Sequence, residues 1–440
     1  MTAALETVRA KVAAQKTALP ALYGDVDFDA TPERFTDDPT TSVAPRLAHA
    51  RLDPEKLALI KAYTMLGDVV ADAYAALMPK YGFRPLIQML TKACDEGLAA
   101  VPDAPPELAA FIADMERIPD WLDMDLVREG QRLDRNAAAN LGPFAIRGAF
   151  IATFMNKYAA LPMALTGTLS NDTAARRVNE TATFFTTTLL PGSLERHGAG
   201  FKAAAMVRLM HSMVRFNALK RSNLWDVGVY GIPIPQVDQM PAGLIPIFLM
   251  SYKIVATGRT VFTPEERARV ELARYRCFLL GLPEDLLADT PQGVVDTMNA
   301  RSATLRAGFD DATCGELVRA TLNAYLPPDE RPENKLFDYV ERGFAKVFFL
   351  RNFLNGDRAA AARMGVEIGP RDFMLFGVVA LLVTSRLAAY RLARNVPGVA
   401  GLADRRLVAR LKKQLARYGH AEFTSDADQY RPAAGARKAA

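Results

Sequence analysis

Thr263-Pro264-Glu265-Glu266-Arg267-Ala268-Arg269-Val270-Glu271-Leu272-Ala273-Arg274-Tyr275-Arg276-Cys277-Phe278-Leu279 carries a full set of helix signals. The threonine caps. Pro264 takes the first helical position, where a backbone N–H has no partner in any case. Glu266, three residues on, reaches back to the cap. Val270, Leu272, Tyr275 and Leu279 recur at helical spacing, and charged residues fill much of the other face. Working outward, Asp53-Pro54-Glu55 repeats the start signal, and Leu57, Leu59, Ile60, Tyr63, Met65 and Leu66 follow it. No convincing run of alternating β-branched residues occurs. The cluster Thr181, Thr183, Thr186, Thr187 and Thr188 is the best strand candidate, and it sits inside a helical pattern. The fold class is all-α.

The chain has 440 residues, 50% apolar and 23% charged, which excludes wholesale disorder and collagen-like structure. A net charge of +5 over this length is too weak to imply nucleic acid. Cys94, Cys277 and Cys314 cannot form a disulfide framework. None belongs to a C-x-x-C, so zinc ribbons, thioredoxin-like redox sites and covalent c-type haem are excluded. Pro102, Pro105 and Pro106 separate two helices, and Pro327, Pro328 and Pro332 separate two more. Prolines are therefore expected to punctuate helices rather than kink them. The longest irregular segment is expected over Gly228–Pro246. The first 45 residues are poorly patterned, and the tail from Ser425 is small and polar. We expect an N-terminal extension over 1–45, one helical domain over 46–420 and a flexible tail over 421–440.

The N-terminus lacks a basic segment followed by an apolar core, so no secretory signal is expected and the default compartment is the cytoplasm. The longest apolar run, Phe373–Val383, falls short of the ~18–20 residues that cross a bilayer. With Ala149–Met155, it reads as a buried core helix. Asp404–His420 is basic and amphipathic. Leu407, Val408, Leu411 and Leu415 share a face, and Arg405, Arg406, Arg410, Lys412, Lys413 and Arg417 crowd the rest. It reads as a solvated C-terminal helix packed by its leucines, with peripheral contact to anionic lipid as the alternative.

Several catalytic motifs are missing. Gly198-Ala199-Gly200-Phe201-Lys202-Ala203 matches a loose dinucleotide pattern, but no strand precedes it, so it reads as a helix start. There is no phosphate-binding loop, no G-x-S-x-G, no H-E-x-x-H and no Glu-x-x-His pair. Zincin and carboxylate-bridged di-iron chemistry are thereby excluded.

Four histidines remain: His49, His197, His211 and His420. His211 sits mid-helix in Phe201–Arg215, with Val207 four residues before it and Val214 three after, so it belongs on an apolar face. It is either a satisfied core histidine or a ligand. Met206, Met210 and Met213 would suit a porphyrin face or plain core. On the preceding helix Arg177 and Thr181 are i and i+4 and share a face. An inward arginine needs an anionic partner, either a carboxylate or a haem propionate. The alternative is a surface arginine paired with Asp172 or Glu180.

Arg177-x-x-x-Thr181, followed one helix hairpin later by Met210-His211-Ser212-Met213-Val214-Arg215, resembles the latex-clearing protein (rubber oxygenase) family, which extends to the endoplasmic-reticulum-bound oxygenase of mycophenolic acid biosynthesis. Gly67-Asp68-Val69-Val70-Ala71-Asp72, Pro119-Asp120-Trp121, and Trp225-Asp226 with Tyr230-Gly231-Ile232-Pro233-Ile234-Pro235-Gln236-Val237-Asp238 are similar to further family segments. The resemblance implies a globin-like helical core with additional helices at both ends, non-covalent b-type haem, and His211 as the proximal iron ligand. It implies that Arg177 and Thr181 lie by the haem. Arg215, one turn beyond His211, is expected to reach a propionate. Glu180 stands where the family can carry a lysine as distal ligand and is expected to handle protons. The expected function is a cytoplasmic haem-dependent oxygenase that uses O2 to oxidise a lipophilic alkene or isoprenoid, by C=C cleavage or a related oxidation. The alternatives are a haem peroxidase or sensor on the same scaffold, and a non-enzymatic lipid- or membrane-binding helical protein.

Overall fold

A computed structural model describes residues 3–47, 52–165, 173–221 and 225–419. Helices dominate. Among the described residues there is no strand, only two isolated bridges, Phe35 with Leu305 and Ser42 with Arg306. The all-α expectation holds. The capping box is present as read, with the Glu266 N–H donating to Thr263 Oγ1 and the Thr263 N–H donating to Glu266 Oε2. The threonine cluster is helical, within Ala174–Thr187 or at its cap. Its backbone groups are paired within the helix, and Thr181 Oγ1 also bonds back to the Arg177 carbonyl at 3.1 Å.

Three expectations need correction. Prolines do enter helices, Pro162 in Lys157–Leu165 and Pro246 in Gln239–Ala256. Pro241 is tolerated for a simpler reason, since it falls in the first turn, where the N–H has no i−4 partner. The irregular segment therefore shrinks to residues 231–235. Second, residues 3–45 carry structure of their own. Ala3–Ala18 forms a helix that buries Leu5, Val8, Val12 and Gln15, and Tyr23 is fully buried. Third, the Phe373–Val383 run is not a core helix. It lies in Pro370–Arg394, of which only Val379 and Val383 are buried. The Ala149–Met155 run does supply core, through Phe150, Ile151 and Phe154. Within Ala400–Tyr418, Leu407 and Leu411 are buried and Asp404 pairs with Arg135 at 2.7 Å, so its leucine face is turned to protein. His49, Asp172, His420 and the 421–440 tail lie outside the described residues.

The chain divides into two compact units, each discontinuous in sequence. One contains Met1–Gly130 and Leu194–Gly308, the other Gln131–Ser193 and Phe309–Glu422. One boundary falls inside the Met124–Asn140 helix, so no linker composition marks it.

The second unit is organised around Arg147, which is fully buried. Its Nε donates to Glu341 Oε2 at 2.8 Å and its Nη2 to Asp338 Oδ1 at 3.2 Å. Its Nη1 donates to the Thr321 and Ala324 carbonyls at 2.7 and 2.8 Å. The next residue, Gly148, lets the two helices close, because a Cβ there would sit 2.6 Å from the Ala345 carbonyl oxygen. Glu341 Oε1 is buried with no partner. Burial pushes the Glu341 carboxyl up from 4.5 to about 7, against the opposing pull of Arg147. A carboxyl raised on folding binds a proton in the native state between those two values and not in the unfolded one. Its contribution is therefore full below the unfolded value and falls as pH rises through the folded one. Glu341→Gln should remove this slope. Relative to wild type, the variant should gain on the order of 3 kcal/mol between about pH 4.5 and about pH 7 in chemical denaturation. Parallel pH profiles would show that Glu341 does not titrate there.

Candidate active site

The first unit contains the histidine helix, Ala199–Lys220, most of whose side chains are buried. It starts at Gly198, with no strand before it, as the sequence implied. Two buried arginines, Arg208 and Arg215, lie seven residues apart, two helical turns, and flank His211. Facing them is the short helix Val69–Ala75, led by Asp68 and carrying Asp72, which are i and i+4. Arg208 holds Asp68 in a two-bond fork, Nε to Oδ2 at 2.7 Å and Nη2 to Oδ1 at 2.8 Å. Its remaining nitrogen reaches Asp114 at 2.8 Å. Arg215 Nη1 pairs with Asp72 Oδ1. Tyr23 donates to the other Asp72 oxygen at 2.5 Å.

Burial alone would raise the Asp68 carboxyl, but the Arg208 guanidinium, with help from Arg215 and the Ala71 N–H, holds it below its usual range. At Asp72 burial prevails over the pull of Arg215, and the carboxyl rises. Burial opposes the charge on both arginines, yet Asp68 and Asp114 keep Arg208 above its ordinary value and Asp72 does the same for Arg215. The turn before the aspartates is shaped for them. A Cβ on Gly67 would run into the Tyr23 hydroxyl and come within 2.7 Å of Asp72 Oδ2. The Gly67 N–H donates to Gln15 Oε1 at 2.7 Å, which ties the N-terminal helix to the same turn.

Arg215 also organises the segment after Trp225. Its Nε donates to the Pro233 carbonyl at 2.9 Å, and its Nη2 donates to the Ile234 carbonyl. Ile234 has φ +45°, a left-handed conformation that costs a β-branched residue energy. Asp238 is gripped by Arg301 at 2.7 Å and Arg34 at 3.3 Å. The next residue, Gln239, places Nε2 2.9 Å from His211 Nδ1. Turning the amide would present Oε1 instead, so this side chain can match either imidazole tautomer. A histidine whose Nδ1 is fixed in this way is oriented as metal-ligating histidines are.

Arg177, Glu180 and Thr181 lie in the second unit, on Ala174–Thr187. Arg177 pairs with Glu180 at 2.7 Å, which is the carboxylate partner the sequence offered, and its Nη2 lies 3.8 Å from Met163 Sδ. Arg177 Nε is buried with no partner. Glu180 is buried between Arg176 and Arg177. Thr181 bonds back to its own helix.

Two of the expected site residues have their polar atoms engaged within the protein. The Arg215 guanidinium is committed to Asp72 and two carbonyls, so it builds the framework and is not presented to a propionate. Glu180 has both oxygens on guanidinium groups, an arrangement that positions Arg177. Sequence reasoning missed Arg208, the pairing role of Asp68 and Asp72, and Gln239. The available signal was that Arg208 and Arg215, seven residues apart, and Asp68 and Asp72, four apart, each share one helix face. Among the described residues no cluster of three or more histidine, cysteine or carboxylate side chains could hold a metal ion. A cavity of about 510 Å³ opens in the first unit, but Asp68, Asp114, Arg117, Arg208, Glu284 and Asp285 make it a charged space, unlike an apolar substrate pocket.

The fold is all-α, with one histidine midway along a mostly buried helix. The chain belongs to the family described as ER-bound oxygenase mpaB/B'/Rubber oxygenase, catalytic domain, whose profile matches residues 135–385, more than half of its length. A solved structure of latex clearing protein LCP in the closed state is similar, at 18% identity and TM-score 0.54 over 87% of this chain and 95% of that one. At that identity it shows the fold alone. No curated protein sequence matches.

The ion pairs predict a specific energetic pattern. Asp72→Leu and Arg215→Met should each cost about 3–5 kcal/mol, because each leaves a buried charge unpaired. The double variant should cost clearly less than their sum in urea denaturation followed by circular dichroism. Additive losses would show that the pair is not coupled.

Proposed function

We propose that this protein is a b-type haem-dependent oxygenase that uses O2 to oxidise a lipophilic alkene or isoprenoid substrate, with His211 as the iron ligand. Membership of the oxygenase family supports the reaction class. The observation that carries the cofactor is the Gln239–His211 pair, held in a helix that two buried ion pairs fix in place. The residues present fit the group. On the histidine helix the imidazole is oriented through its Nδ1; in the other unit, taken by itself, Arg177 has a buried N–H without a partner, which suits an anion. Bound non-covalently, haem b would supply an iron able to bind and activate O2.

The chain's own residues do the rest. Gln239 sets the rotation of the His211 ring, and a turned amide would accept the Nδ1 proton. Arg208 and Arg215 hold the histidine helix against the Asp68–Asp72 turn, so the ring is presented from a fixed backbone. Glu180 and Met163 hold Arg177. Thr181, bonded to the Arg177 carbonyl, can rotate its hydroxyl toward a ligand. The proposal includes a cytoplasmic location with peripheral membrane contact.

Protein supplied with haem should give a stoichiometric b-type pyridine haemochrome. His211→Ala should lose it, and Gln239→Leu should bind haem roughly 10–100-fold more weakly. Haem binding unchanged in His211→Ala would overturn the ligand assignment. With reductant and O2, lipophilic alkenes should yield carbonyl products. Turnover only with peroxide would favour a peroxidase, and failure to take up haem at all would favour lipid binding without catalysis.

A further inference from the structure

The Pro370–Arg394 helix is apolar on both sides. Its inner side packs in the second unit, where Phe376 stacks on Phe344 with centroids 4.8 Å apart and Val379 and Val383 are buried. Its outer side carries Met374, Val378, Leu381 and Leu392, which are 62 to 70% exposed. Of the fifteen large apolar side chains exposed among the described residues, ten lie between Leu336 and Leu402. From Met374 to Leu392 this face runs about 27 Å at 1.5 Å per residue. The charged residues that fall within that stretch are confined to Arg386 and Arg391. A helix apolar all round is normally enclosed. Patches of this kind on a folded surface mark interaction sites.

The charge pattern names the partner. Residues 370–418 carry ten lysines and arginines against two aspartates, a net +8, whereas the whole chain is only +5. The remainder of the chain is therefore acidic. Both aspartates are engaged, Asp372 with the Gly369 N–H and Asp404 with Arg135. Arg371 and Arg391 are exposed near the two ends of the apolar face, and Arg371 stacks over the half-exposed Tyr339 ring at 4.5 Å. Apolar side chains bordered by cations and an amphipathic aromatic ring are the composition of an interfacial helix. A second copy of this chain is a poor occupant. Two such faces brought together would bring together two segments of net +8, and antiparallel helices would set Arg371 toward the partner copy's Arg391 end.

We propose that Pro370–Arg394 is an in-plane docking surface for an anionic lipid bilayer. Met374, Val378, Leu381 and Leu392 enter the acyl boundary while Arg371 and Arg391 meet lipid phosphates. By length and composition this helix could cross a membrane, longer than the run read from the sequence; with its inner face engaged by Phe344, it is assigned to the interface. The contact moves from 404–420, whose leucines are buried, to the preceding helix. This inference is independent of the haem reading, and it would bring the protein to the phase in which lipophilic molecules are dissolved.

The test is co-sedimentation of the full chain with phosphatidylcholine vesicles, with and without phosphatidylserine, against Val378→Glu/Leu381→Glu. Both positions are exposed, so the fold should tolerate the change, and an unaltered circular dichroism spectrum checks this. Wild type should bind the anionic vesicles, more weakly as salt is raised, and the double variant should bind at least about tenfold more weakly. In Leu381→Trp, the fluorescence of the introduced indole should shift to the blue on vesicle addition. No binding to either vesicle, equal binding by the double variant, or an indole emission in Leu381→Trp that vesicles leave unchanged would overturn the proposal. So would a lipid-free dimer that the double variant dissociates, which would assign the face to a second copy.

Discussion

Two buried arginine–aspartate pairs join one short helix turn to the centre of the histidine helix, and much of the first unit is arranged around them. Arg208 with Asp68 and Arg215 with Asp72 are all almost wholly enclosed. Removing four charges from water carries a large cost, recovered only if every partner is in place. The surrounding features follow from that requirement. Tyr23 and Gln15 come from the N-terminal segment to complete the turn, Gly67 leaves room for them, and Asp114 takes the last Arg208 donor. Arg215 extends the constraint to the Pro233 and Ile234 carbonyls, and Asp238 anchors the same segment to Arg34 and Arg301. Gln239 then reaches His211 from a backbone fixed on both sides.

The helical fold was legible because capping and periodicity are local. Thr263 to Glu266 is a four-residue signal, and it appears in the structure as written. The family segments were legible too, but their reasons were not. Gly67 and the two aspartates were visible as a pattern, whereas their use as counter-ions depends on a helix more than a hundred residues away. Arg215 shows the same limit. From the sequence it is one turn from a ligand histidine and free to reach a propionate, and only the fold reveals that Asp72 and two carbonyls occupy it. The N-terminal segment looked unpatterned because Leu5, Val8 and Val12 are thinly spaced among alanines and charged residues, and their face ends on a polar residue, Gln15.

Periodicity also misjudged exposure. Phe373–Val383 reads as core because composition does not record whether a second layer covers the outer side. In the second unit one layer, built on Phe344 and Phe348, covers the inner side, and the outer side is exposed. The adjoining Ala400–Tyr418 helix, which looked the more membrane-like for its basic residues, turns its leucines inward. The division into two units was hidden for a different reason. Each is assembled from separate stretches of sequence, and one boundary lies within a helix.

The central claim is that His211, oriented by Gln239 on a helix fixed by buried ion pairs, is a haem iron ligand. Resonance Raman spectroscopy of the reduced, haem-loaded protein tests it most directly. The account predicts an iron–histidine stretching band in wild type that shifts in frequency in Gln239→Leu, because that substitution removes the partner of Nδ1. A reduced protein with no such band, or a band that Gln239→Leu leaves unmoved, would contradict it.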